Sequence, residues 1–294
     1  MAITELNRAT VAAGLNRVLY DGTQYVYGAN NVTLYALLKS GSTVSLITSI
    51  SMGSSTGNVC GLWYDGTYIY TMTHPYVDFS DYLIDVPYLR PAPYNVYYRA
   101  YTFNGATFTQ VANLTYNALT PPEGFGITGD GTYIYSLIRD DGVNPCALYA
   151  HSPGLASQIA ALPLASSDYS LAPLYHGGFI YFSGADGIHK YSFDGISFSL
   201  SAFTAFTFLD KSYIATDGTR LFVTRISGTP SVEVFDLNLT WQASIPLGLN
   251  NPYQIAYKNG FLFVPDSDKI RVYDSSLSLV DSVTPFPYPI AVAV

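Results

Sequence analysis

Apolar residues in this chain come in short runs broken by Asp-Gly, Asn-Gly and other polar turns, and no run keeps a capped helical period. The pattern predicts many short strands and almost no helix. Tyr20-Asp-Gly-Thr-Gln-Tyr-Val-Tyr27, Tyr64-Asp-Gly-Thr-Tyr-Ile-Tyr70 and Gly129-Asp-Gly-Thr-Tyr-Ile-Tyr135 are near copies of one another. Weaker copies are Tyr175-His-Gly-Gly-Phe-Ile-Tyr181, Thr216-Asp-Gly-Thr-Arg-Leu-Phe222 and Tyr257-Lys-Asn-Gly-Phe-Leu-Phe263. Their second turn residue falls at positions 22, 66, 131, 177, 218 and 259, giving spacings of 44, 65, 46, 41 and 41. One interval carries an insertion, and the others share one unit length.

Each unit follows the same logic. A short apolar strand runs into the turn, where glycine accepts the positive φ of a tight hairpin. An aromatic and β-branched strand follows, as strand propensity favours. Two more strands complete the unit, expected at Val32–Leu38 and Thr43–Ile50 in the first unit and at Lys269–Tyr273 and Ser278–Ser282 in the last. Four short strands in roughly 40–45 residues make the blade of a β-propeller. The expected fold class is all-β: a single β-propeller over residues 1–294 with six four-stranded blades, an irregular seventh being the variant. Pro287-Tyr-Pro-Ile-Ala-Val292 repeats the opening of the sixth unit and reads as a further inner strand, with Ile3–Arg8 as an extra outer strand. Pairing the two termini would close the ring and protect sheet edges. The other use of a terminal strand is addition to a partner's sheet.

The last unit, Asn251-Pro-Tyr-Gln-Ile-Ala-Tyr-Lys-Asn-Gly-Phe-Leu-Phe-Val-Pro-Asp-Ser-Asp-Lys-Ile-Arg-Val-Tyr-Asp274, resembles the NHL and YncE-like propeller repeats. Those repeats run from a proline and "IA" strand through a turn to a "YVAD…RIxVFD" strand pair. The resemblance covers this blade and the hairpins of the other five. It implies the fold, which hosts binding scaffolds, lyases and lactonases alike.

Composition narrows the function. Hydrophobic residues make up 49% and charged ones 12%, which is enough apolar material for a core and excludes a disordered chain. The net charge is −8 with 13 basic residues, so no basic stripe exists to neutralise phosphates, and neither nucleic acid nor an anionic membrane is expected as a partner. No window approaches the roughly 18 apolar residues of a membrane span. Met1–Tyr20, interrupted by Glu5, Arg8 and Arg17, does not read as a signal peptide. Cys60 and Cys146 lie outside any CxxC spacing and are expected as buried free thiols.

The insertion spans roughly Thr73 to Asn95, between the second and third strands of the second blade. It combines Tyr76, Phe79, Tyr82, Tyr88 and Tyr94 with Asp78, Asp81, Asp85 and four prolines. It belongs to the face opposite the Asp-Gly hairpins. Long loops in compact domains are usually functional. Rigid aromatics give contact area at low entropic cost, so Tyr76, Phe79, Tyr82, Tyr88, Tyr94, Asp78 and Asp81 are the candidate ligand- or partner-binding residues. The competing reading is a lid that covers the edge of a blade.

Catalytic chemistry is harder to place. Six-bladed lactonases of the gluconolactonase type hold calcium at the channel mouth with carboxylate and amide oxygens. Asn58, Glu123, Asp168, Asp210 and Asn251 precede inner strands on the matching face. The motif set of that family is absent, so no metal or other cofactor is expected, with Glu123, Asp168 and Asn251 the weak metal candidates. Four histidines occur, His74, His151, His176 and His189. His176 sits in the turn slot that Asp takes elsewhere, and His189 is expected in a turn beside the third strand of its blade. No G-x-S-x-G elbow or patterned triad is present. Asp21, Asp65, Asp130 and Asp217 are expected to stabilise Asx turns. Sequons stand at Asn31, Asn113 and Asn238.

Taken together, these features lead us to expect a non-catalytic binding or structural propeller at a virion or extracellular surface. It would recognise a glycan or receptor, or pack against protein neighbours in an assembly that includes homo-oligomers. The alternatives are a calcium-dependent lactonase-like hydrolase and an intracellular (cytoplasmic) protein-interaction scaffold.

Overall fold

The computed structural model describes residues 17–30, 32–40, 43–53, 57–75, 94–118, 123–139, 146–164, 173–184, 186–206, 212–225, 229–247, 255–266 and 269–283. Blade 1 comprises β1 (Arg17–Tyr20), β2 (Tyr25–Ala29), β3 (Thr33–Ser40) and β4 (Thr43–Ser51). Blade 2 comprises β5 (Gly57–Tyr64), β6 (Ile69–Pro75), β7 (Tyr94–Phe103) and β8 (Phe108–Ala118). Blade 3 comprises β9 (Glu123–Gly129), β10 (Ile134–Arg139), β11 (Ala147–His151) and β12 (Gln158–Pro163). Blade 4 comprises β13 (Leu174–His176), β14 (Phe179–Ser183), β15 (Gly187–Phe193) and β16 (Phe198–Ala205). Blade 5 comprises β17 (Ile214–Thr216), β18 (Arg220–Arg225), β19 (Ser231–Asp236) and β20 (Trp241–Pro246). Blade 6 comprises β21 (Ala256–Lys258), β22 (Phe261–Asp266), β23 (Lys269–Tyr273) and β24 (Leu279–Val283).

Every blade is an antiparallel meander in sequence order, so the chain is a six-bladed β-propeller. No α-helix occurs among the described residues, and the one helical turn is a 3-10 turn at Pro153–Leu155. The third and fourth strands of blade 1 run two residues and one residue further than expected. Those of blade 6 match to within a residue. The proposed terminal strands, Ile3–Arg8 and Pro287–Val292, lie outside the described residues.

Strand alternation builds the core between blades rather than within them. On β6, Ile69 joins Tyr27, Leu34 and Tyr101 in the cluster between blades 1 and 2. The next residue, Tyr70, joins Tyr98, Ile127 and Ile134 between blades 2 and 3. Three further clusters join blade 3 to 4, 4 to 5 and 5 to 6. Because both faces of each sheet are buried near the centre, the inner and middle strands read as near-continuous apolar runs.

The outermost strands behave differently. In all six blades the pairing of the third and fourth strands is broken by a bulge that leaves one residue of the outer strand unmatched: Ile47, Val111, Ile159, Ser201, Gln242 and Val280. The six outer strands contain a single charged residue, Asp281. Bulges twist an edge away from edge-to-edge pairing, a task that charged side chains perform in many other sheets.

Candidate functional site

The hairpin turns carry the repeat signature. In blade 2, Asp65 Oδ1 accepts the N–H groups of Thr67 and Tyr68 at 2.7 and 2.6 Å. Asp130 does the same for Thr132 and Tyr133, and Asp217 for Thr219 and Arg220. The following glycines take positive φ, +97° at Gly66 and +87° at Gly131. The Asx bonds stand beside a tight turn: the Asp65, Asp130 and Asp217 N–H groups donate to the carbonyl oxygens of Tyr68, Tyr133 and Arg220 at 3.2, 3.1 and 3.3 Å, so two residues lie between the paired positions. Two-residue turns with consecutive positive φ occur at Gly177-Gly178 and Asn259-Gly260. These aspartate oxygens are occupied in holding the backbone.

At the opposite end of blade 2, β6 runs to Pro75 and β7 begins at Tyr94, so the insertion is shorter than Thr73–Asn95. Tyr76, Asp78, Phe79, Asp81, Tyr82, Asp85 and Tyr88 lie outside the described residues. Tyr94 is the first residue of β7, opposite Ala118. After the insertion the chain enters β7, which with its partner β8 is, at 10 and 11 residues, the longest strand pair among the described residues. Arg99, 7% exposed, donates to Thr73 Oγ1 at 3.1 Å, and its guanidinium lies 4.7 Å from the centroid of the Tyr97 ring. Burial lowers its pKa from the ordinary arginine range. Asn95 Nδ2 donates to Tyr97 Oη at 3.1 Å.

Of the metal candidates, Asn58 lies in β5 opposite His74, and Glu123 opens β9 opposite Arg139. Asp168, Asp210 and Asn251 lie outside the described residues. Among the described residues, no three His, Cys, Asp or Glu side chains gather as a metal site.

One serine–histidine pair does form. Ser136 Oγ lies 3.2 Å from His151 Nε2 and accepts from Tyr98 Oη at 2.9 Å. All three side chains are fully buried between blades 2 and 3, and His151 Nδ1 has no hydrogen-bond partner. Burial lowers the His151 pKa to about 4. A nucleophilic pair needs a substrate within reach and a group that orients the base. This pair has neither, and it packs against the rings of Tyr116 and Tyr149 as part of the core.

His189 departs from expectation. It lies within β15, not in a turn, because its ring stacks on Phe182 at 5.0 Å and contacts Phe203 at 4.9 Å. Its Nε2 is 2.9 Å from Asp186 Oδ1. Cys60 and Cys146 form no disulfide and both are buried, as the spacing suggested.

A further arrangement was not anticipated. Glu233, 3% exposed, accepts from Ser231 Oγ at 2.7 Å, Ser244 Oγ at 3.0 Å and Trp241 Nε1 at 2.9 Å. The alternation in Ser231-Val-Glu-Val-Phe235 does place Ser231, Glu233 and Phe235 on one face of β19. The tryptophan, however, reaches Glu233 only through the bulge in the register of β20.

No family model matches the chain, and no curated protein matches it by sequence. Solved structures do match. A candidate 6-phosphogluconolactonase of Bacteroides uniformis is similar, with a TM-score of 0.68 at 13% identity, over 94% of this chain and 88% of that one. A second, from Bacteroides fragilis, gives 0.66 at 13% over 92% and 83%. A protein of unknown function from Desulfotomaculum acetoxidans gives 0.62 at 14% over 92% and 84%. At these identities the likeness is one of fold.

Proposed function

We propose that this chain is a non-catalytic recognition or assembly propeller of a virion or cell surface, with the segment between β6 and β7 as its contact element. The observation that carries this reading is where that segment is mounted. One end leads into β7, which with β8 forms the longest strand pair among the described residues, and the other leaves β6 two residues past Thr73, which accepts from the buried Arg99; binding loops work best on a rigid scaffold. The tyrosines and prolines of the segment supply contact area at low entropic cost, and its aspartates supply orienting hydrogen bonds. The nearly charge-free outer strands suit packing against protein neighbours. Lactone hydrolysis is the second reading, drawn from the two Bacteroides likenesses, which carry fold alone.

The test uses the full chain and a form in which a short Gly-Ser turn replaces residues 76–93. Both are applied to a glycan array and to cell-envelope fractions. Binding that disappears with the segment, at an unchanged melting temperature, is the expected result. Equal binding by both forms, or loss of cooperative melting on deletion, overturns the reading.

A further inference from the structure

The two tryptophans of this chain are placed very differently. Trp63 is packed, stacked on Tyr70 at 5.6 Å and closed in by Gly129. Trp241 stands on the outer rim with 52% of its surface exposed. It opens β20 just before the bulge, in the slot held by Leu46, Leu200 and Leu279 in blades 1, 4 and 6 and by glutamine in blades 2 and 3. Those leucines are also exposed, and their side chains have no polar atom to fix them.

What distinguishes Trp241 is its tether. A carboxylate buried without a cation is unfavourable unless hydrogen bonds satisfy its oxygens. Among the described residues no basic side chain pairs with Glu233. Two serine hydroxyls and the indole N–H satisfy it instead. An exposed indole N–H can be satisfied by water, so the buried carboxylate is not needed to solvate the tryptophan. Its consequence is to lock the orientation of the ring. An aromatic surface held in one orientation and open to solvent is preorganised for a flat, apolar-faced ligand.

The surroundings define the chemistry of that ligand. β20, Trp-Gln-Ala-Ser-Ile-Pro, carries no charge, and exposed Thr240 and Gln242 flank the indole in the chain. The nearby Asp236 carboxylate is held in its turn by the N–H groups of Asn238 and Thr240. A neutral ring with one C–H face and hydroxyls at its edge fits this combination, whereas β20 itself offers an anionic ligand no cation. We propose that Trp241 is the stacking platform of a binding site for a neutral pyranose, with Glu233 as the positioning residue that holds the indole. This site lies on the rim of blade 5 and does not depend on the segment between β6 and β7.

Saturation-transfer NMR and tryptophan-fluorescence titration of the full chain test it, with maltotriose, cellotriose, lactose and N,N′,N″-triacetylchitotriose as probes. At least one sugar is expected to bind in the millimolar range or tighter, with transfer from aromatic protons. Trp241→Leu places in blade 5 the residue that three other blades already carry, so the fold is retained, and affinity falls at least tenfold. Glu233→Gln keeps an acceptor for the indole N–H and retains affinity within about threefold, while Glu233→Leu loses it at least tenfold. The form lacking residues 76–93 binds like the parent. Four probes without transfer up to 20 mM, or equal affinity in Trp241→Leu, overturn the proposal. Loss of sugar binding in the deleted form but not in Trp241→Leu also overturns it, while supporting the contact role of the segment. Parent-like binding by Glu233→Leu removes the positioning role.

Discussion

The hydroxyl of Tyr70 accepts a hydrogen bond from the backbone N–H of Gly154 at 3.0 Å, across 84 positions of sequence and from one blade to the next. The same hydroxyl donates to Asp65 Oδ2 at 2.7 Å, so one side chain ties the Asx turn of blade 2 to the 3-10 turn of blade 3. Burial, and then the bond to Asp65, push its pKa up, which keeps the proton in place for donation. Tyr135 repeats the bond to the turn aspartate, with Oη at 2.7 Å from Asp130 Oδ2. In blade 5, where Phe222 takes that place, Arg220 Nε donates to Asp217 Oδ2 instead, also at 2.7 Å.

Tyr70→Phe removes both bonds and leaves the Gly154 N–H without its partner, so it should cost about 1–3 kcal/mol. Tyr135→Phe removes the bond to Asp130 and should cost about 1 kcal/mol. Urea unfolding midpoints at constant slope check this. Equal losses in the two variants would mean that the link between blades 2 and 3 contributes nothing.

The buried His151 should make the fold sensitive to acid. Its pKa is about 4 in the folded state, depressed by burial, against an ordinary value near 6.5. The unfolded chain therefore binds the proton first as pH falls. The contribution is fully present above about pH 6.5 and is lost progressively towards pH 4, amounting to about 3 kcal/mol. His151→Phe should flatten the stability profile over that window in urea melts at graded pH. An unchanged slope would place the acid sensitivity elsewhere.

Gly129 closes β9 where the chain passes Trp63. A Cβ there would collide with the Trp63 ring and lie 2.7 Å from the carbonyl oxygen of Tyr133. Neither the packed indole nor the backbone can yield easily, so Gly129→Ala should cost about 1–3 kcal/mol through overpacking. Gly131→Ala meets no atom within 4 Å but adopts φ of +87°, and should lose stability through backbone strain alone. In thermal melting, Trp63→Phe should recover part of the loss when combined with Gly129→Ala and none when combined with Gly131→Ala.

The two thiols should be inert in the native protein. Cys60 and Cys146 are both buried, and burial raises the Cys60 pKa to about 12, far from the thiolate form that reacts. A thiol-reactive disulfide reagent should label neither at pH 8 and both in denaturant. Native labelling on the timescale of mixing would show that blade 2 or blade 3 opens locally.

The repeat of Asp-Gly-Thr with an aromatic strand determines the blades by itself, because the turn chemistry and the two-residue strand period are local properties of the backbone. Six units, their inner strands and the structural use of Asp65 and Asp130 were therefore legible from residue order. The tight closure of that turn, with Asp65 Oδ1 bonded to the N–H groups of Thr67 and Tyr68, follows from the same local chemistry. Local pattern misplaced His189, which stacks on Phe182 within a strand. What the tertiary structure alone decided are contacts between residues that share no local pattern. Tyr98 meets Ser136 because two blades close on each other. Trp241 meets Glu233 because a bulge shifts the register of β20 by one residue. A bulge re-aims side chains without altering the apolar pattern that defines its strand, so its position is settled by the packing of neighbouring strands.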